Sequence, residues 1–130
     1  MIKIPVYVIM CGDKYENVLN QFLGRFIFDV HIFKSFPNQN EQKNIWHGIV
    51  NAIKIITQED DDFVIICLNK HMFTDVFDER LLIESIKSAG MLGVDLLLGG
   101  IGNFKYAVPL STNLFWIDSF RYSQFIVIYR

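Results

Sequence analysis

Apolar and polar positions alternate between two rhythms along this chain, and the switch between them divides it into elements. Lys3–Met10 is short, apolar and rich in β-branched residues, which predicts a first strand; Gly12 and Asp13 break it. Tyr15, Val18, Leu19, Phe22, Leu23 and Phe26 then recur at spacings of three and four, the stripe of an amphipathic helix. Asp29–Phe33 alternates and predicts a second strand. Pro37-Asn38-Gln39-Asn40 reads as a loop whose last residue can cap a helix. From Glu41 to Thr57, Ile45, Ile49, Ile53 and Ile56 share one helical face, with Trp46 and Val50 beside them. After the polar turn Gln58–Asp62, Phe63–Cys67 is a continuous apolar strand of the kind buried on both faces.

The second half repeats the grammar. Asp78–Ala89 predicts a third helix, with Leu82, Ile83, Ile86 and Ala89 inward and Gly90 near its end. Val94–Leu98 predicts a strand running into Gly99-Gly100, Lys105–Asp118 reads as irregular, and Gln124–Tyr129 is a final apolar strand. Strands alternating with helices predict an α/β domain over residues 1–130, built on a mostly parallel sheet with helices on both faces. In such sheets ligands sit outside the carboxyl ends of the strands, which directs attention to the residues that follow Phe63–Cys67 and Val94–Leu98.

Composition narrows the function classes. A 130-residue chain with 52% hydrophobic and 15% aromatic residues can bury a real core. A net charge of −2 with no basic tract argues against nucleic acid as a partner. The longest apolar runs, of about six residues, fall far short of the roughly 20 needed to cross a bilayer. The amino terminus lacks a signal-peptide pattern, so the expected compartment is the cytoplasm, with Cys11 and Cys67 as reduced thiols.

Four clusters can carry chemistry. Glu59-Asp60-Asp61-Asp62 offers carboxylates for a cation, but it lies at the amino end of its strand, opposite the expected binding edge, and reads as a solvated turn. Leu68-Asn69-Lys70-His71 lies at the carboxyl end; Asn69 and His71 can offer an oxygen and an imidazole, while Lys70 opposes a metal. Gly99-Gly100-Ile101-Gly102 either admits close approach of a phosphate or sugar or is a plain glycine turn. Phe115-Trp116-Ile117-Asp118 sets an aromatic beside a carboxylate, a pairing suited to sugars, although aromatics in such a connection also serve as core. Cys67 sits at the end of a buried strand and is discounted as a nucleophile.

With IPVYVI at the start, DDDFVIIC leading to Phe73-Thr74, GGIGNF, AVP at Ala107–Pro109, FWID and QFIVIYR in that order, nearly the whole chain resembles the bacterial GT-A-type glycosyltransferases grouped with family 25. That resemblance implies a GT-A/Rossmann-like half that binds a nucleotide sugar for glycan or lipopolysaccharide biosynthesis. In intact members an acidic pair holds manganese against the diphosphate; here those ligands are replaced by Leu68, Asn69 and Lys70, so no cofactor is expected and a catalytic residue is not assigned. Asn69, Lys70 and His71 are then expected near the phosphates, and Gly99, Gly100, Trp116 and Asp118 near the sugar. Lys70 can pair with phosphate in place of the metal. The alternative is a truncated, non-catalytic relic, a binding module or one that self-associates through an uncovered Gln124–Tyr129 strand. A receiver-like domain is disfavoured because no aspartate ends the Phe63–Cys67 strand.

Overall fold

The computed structural model describes residues 3–10, 16–34, 40–59, 61–68, 71–102, 104–120 and 122–130. Its elements run β1 (Ile4–Met10), α1 (Glu16–Asn20), β2 (Phe28–Lys34), α2 (Glu41–Glu59), β3 (Phe63–Leu68), α3 (Glu79–Met91), β4 (Leu96–Gly102), β5 (Ala107–Pro109), β6 (Phe115–Ile117) and β7 (Tyr122–Tyr129). Among these described residues no helix is long and apolar enough to cross a membrane.

The expectation of a mostly parallel sheet is corrected. The five strands lie in the order β2-β1-β3-β7-β4, with β1 parallel to β2 and β3, and β7 antiparallel to β3 and β4. The sheet is mixed, and the physical reason lies in the 105–118 segment. A parallel return needs a crossover, usually a helix. This segment instead folds into the two-stranded β5-β6 hairpin, so the chain re-enters the sheet in the opposite sense. The stretch expected to be irregular is therefore partly a hairpin. The last strand is not uncovered either: β7 is hydrogen-bonded on both sides, which removes the basis for self-association through its edge.

Helices do cover both faces. On one, Val18 and Phe22 from the α1 region and Ile86 from α3 pack on Val6, Val8, Ile65, Cys67, Phe125 and Val127. On the other, Ala52 and Ile56 of α2 pack on Ile9, Val64, Ile66 and Leu68. Successive strand residues point to opposite faces, so β1, β3 and β7 each feed both cores, as a buried strand must. Each fully buried aliphatic contributes about 1.5–3 kcal/mol of burial free energy.

Helix boundaries follow from local chemistry. The Asn40 side chain accepts from the Lys43 N–H at 2.8 Å, and Asp78 accepts from the N–H groups of Arg80 and Leu81, capping α2 and α3. The helix expected from Tyr15 to Phe26 shrinks to Glu16–Asn20 followed by turns, and Leu23 and Phe26 are exposed. Gly90 lies near the end of α3, as expected, one residue before Met91 and under the Tyr129 ring, whose hydroxyl donates to the Ile86 carbonyl at 2.6 Å.

The α2 contact on β1 is close enough to be tested. A Cβ on Gly48 would lie 2.6 and 2.7 Å from Cδ1 and Cγ1 of the fully buried Ile9. Alanine would normally stabilise a helix interior by about 1 kcal/mol over glycine. Here overpacking costs about 1–3 kcal/mol, so Gly48→Ala is expected to destabilise by about 1 kcal/mol net. Chemical denaturation checks this, and Ile9→Val, which removes Cδ1, should recover part of the loss in the double variant.

Candidate functional site

β1, β3 and β4 run in one direction, and their carboxyl ends open on the same edge of the sheet. There a cavity of about 630 Å³ lies between the 71–78 segment, α3 and the strands β4 and β7. The segment after β3 supplies His71, Phe73, Thr74 and Phe77; α3 supplies Leu81, Leu82 and Ser85; β4 supplies Gly99 and Gly100; β7 supplies Gln124 and Phe125. Asn113 and the buried Leu114, from the turn between β5 and β6, close it from a fourth side.

The wall is mostly apolar, with Phe73, Phe77 and Phe125 as its aromatic residues beside His71, and the 71–78 segment is clamped from behind. Gln21 Oε1 accepts from the Phe73 N–H at 2.9 Å. The Arg25 guanidinium lies 4.6 Å above the Phe73 ring and 4.8 Å above Phe77, and its Nε donates to the Gln21 carbonyl. A distant Glu79 carboxylate, 3.8 Å from Arg25, completes the cluster. The turn region after α1 thus fixes a segment that has no helix or strand of its own.

His71 is the polar residue at the centre of this wall. Its backbone N–H donates to Leu68, and its ring sits 4.4 Å from Phe73, 5.1 Å from Phe125 and 6.0 Å from Phe22, centroid to centroid. It is 8% exposed. Burial, with a smaller contribution from Arg25, lowers its pKa to about 4, so the imidazole is neutral at pH 7. Nε2 is buried and has no hydrogen-bond partner among the described residues. The sequence points to a loop or ligating histidine; the structure makes it a caged, neutral one.

The two glycines have separate roles. A Cβ on Gly99 would stand 3.1 Å from the Phe125 ring, so Gly99 is the seat of that ring. Gly100 has φ +61° and open space around it, a conformation that side-chain-bearing residues rarely adopt. Both lie within β4 rather than in a turn after it. Beside them the buried Ser123 hydroxyl is 2.9 Å from the carbonyls of Gly99 and Phe125 and can donate to either, tying β4 to β7 where the ladder passes Gly100.

Trp116 and Asp118 are elsewhere. They line a second cavity of about 770 Å³ with the end of α3 and β4, adjacent to the first and sharing Leu97, Leu98, Asn113 and Leu114 with it. The Asp118 carboxylate accepts from the N–H groups of Tyr106, at 3.0 Å, and Lys105, at 3.3 Å, and the Tyr106 bond is the main cause of its lowered pKa. It therefore closes the base of the β5-β6 hairpin. Trp116 is 53% exposed on that hairpin. Asn69 and Lys70 lie outside the described residues, as do Cys11 and Asp60.

Of the expected site, the structure brings His71, Gly99 and Gly100 to one cavity and leaves Trp116 and Asp118 out of it. Thr74, Ser85, Asn113 and Gln124 line the cavity and are not among the site residues expected from the sequence. Their only sequence signal is polarity next to strand or helix positions, which surface residues share. The described donors do not fit manganese: Leu68 is apolar, His71 is caged, and no group of three or more His, Cys, Asp or Glu stands together among the described residues. The Cys67 thiol is buried and its pKa is pushed well up by desolvation, so it is no nucleophile. No protein-family model, curated protein or solved structure matches this chain.

Proposed function

We propose that this chain is a non-catalytic binding domain that holds an uncharged, largely apolar small molecule in the cavity at the carboxyl ends of β3 and β4. The observation that carries this is the charge inventory of the wall. Among its described lining residues there is no lysine or arginine, and the one carboxylate, Asp78, is engaged in capping α3. A charged ligand would be desolvated there without a partner, which costs several kcal/mol. A concave, mostly apolar space with three phenylalanine rings and a few polar groups in its wall suits a neutral ring-bearing compound.

A second function is favoured by a different observation. His71, Gly99 and Gly100, from two segments that resemble glycosyltransferase motifs, meet in one cavity at the strand ends. A nucleotide-sugar-binding domain of that kind would place its diphosphate against Lys70.

Thermal unfolding with ligand panels separates the two. A neutral aromatic probe at 100 times its Kd stabilises by about 2.7 kcal/mol, a shift of several degrees. The expected result is a shift with neutral aromatic compounds such as indole or naphthalene and none with UDP- or CMP-sugars, with or without manganese. A shift with a nucleotide sugar that survives EDTA and is lost in Lys70→Ala selects the second function and overturns the first. No shift with neutral compounds also overturns the first.

A further inference from the structure

The cavity wall contains one buried polar atom that the fold leaves unanswered. Nε2 of His71 has no partner among the described residues and is shut off from solvent. A buried polar atom without a partner costs about 1–3 kcal/mol, and native structures rarely keep one without use. The two rings nearest to His71, Phe73 and Phe125, are themselves cavity wall. His71 lines the same cavity, with its ring in contact with both. Phe73 belongs to a segment with no regular secondary structure, flanked by the strongly exposed Met72 and Val76.

Building on the binding role proposed above, we infer that the cavity selects a ring-bearing alcohol or phenol, whose ring lies against Phe73 and Phe125 and whose hydroxyl pairs with His71 Nε2. The class follows from three constraints. A neutral imidazole nitrogen is a donor or an acceptor according to tautomer, and a hydroxyl can serve either. A carboxylate finds no cation among the described lining residues. An ammonium is repelled by Arg25, whose guanidinium already covers the far side of Phe73. The hydroxyl reaches Nε2 when the Phe73 and Phe125 rings part, so the ligand replaces a ring contact with a hydrogen bond plus its own stacking.

Calorimetry at pH 7 with 4-methylphenol and toluene, which differ by the hydroxyl alone, tests this on the full chain. Wild type is expected to bind 4-methylphenol about tenfold more tightly, and His71→Phe to lose that preference while still binding toluene. Should His71→Phe fail to fold, the imidazole ¹⁵N resonances of the wild-type protein decide: they should shift with 4-methylphenol and not with toluene. Equal binding of both probes by wild type, a preference retained in His71→Phe, or unmoved imidazole resonances overturns the pairing and leaves the binding role intact. Binding of neither probe, with no shift for any neutral aromatic compound, removes the binding role itself.

Discussion

Ile65→Asp is expected to abolish the folded state. Ile65 is fully buried at the middle of β3, opposite Val6 on one side and Val127 on the other. Its side chain points into the core that α1 and α3 cover, among aliphatic and aromatic neighbours. The substitution removes about 1.5–3 kcal/mol of apolar burial and adds an unpaired carboxylate whose burial costs several kcal/mol more. A domain of this size holds about 5–15 kcal/mol in all. Circular dichroism should show no cooperative thermal transition. Val108→Asp makes the same chemical change on the exposed face of β5 and should stay within about 0.5 kcal/mol of wild type. A cooperative transition for Ile65→Asp within a few degrees of wild type would contradict the two-faced burial of β3.

That burial was legible from the residues, because a run such as FVIICL has no polar face to turn outward. The α2 helix was legible for the same reason, although its buried stripe runs through Ala52 rather than Ile53, which is partly exposed. Strand direction was not legible. QFIVIY fits an interior strand of either sense, and the sense is set by what precedes it. The 105–118 segment hid its hairpin because AVP and FWI are too short for a period-two pattern and most of their side chains are exposed. The structural role of Asp118 was not legible for a related reason. A carboxylate beside an aromatic has the composition of a sugar site, but its oxygen is used by the Lys105 and Tyr106 N–H groups thirteen and twelve residues earlier, a partnership no local pattern announces. That His71, Gly99 and Gly100 lie near one another was legible because all three follow predicted strands that end on one edge of the sheet. The Phe73–Arg25 stack that shapes their surroundings depends on a contact between distant segments.

Acid should weaken this protein through His71 before it acts through the carboxylates. An unfolded histidine titrates near 6.5; in the folded chain burial, and then Arg25, lowers the value to about 4. Between those two values the unfolded chain binds a proton that the native one refuses. The contribution of neutral His71 to stability is therefore complete above about pH 6.5, falls as pH drops through that window, and is gone below about pH 4. The full gap corresponds to about 3 kcal/mol, most of it from burial of the imidazole. Asp118 acts in a lower window. Its folded pKa is depressed by the Tyr106 and Lys105 N–H groups, so its contribution is lost only as pH falls below its ordinary value of 3.8. His71→Phe removes the titrating group and the orphaned Nε2 together, so it should flatten the stability profile between pH 6.5 and about 4 without moving the steeper decline below it. Urea titrations at half-unit pH steps on both proteins make the comparison. Parallel profiles through that window would mean that the imidazole takes up its proton as readily in the folded chain as in the unfolded one, and the caged, neutral His71 on which the cavity's selectivity depends would have to be abandoned.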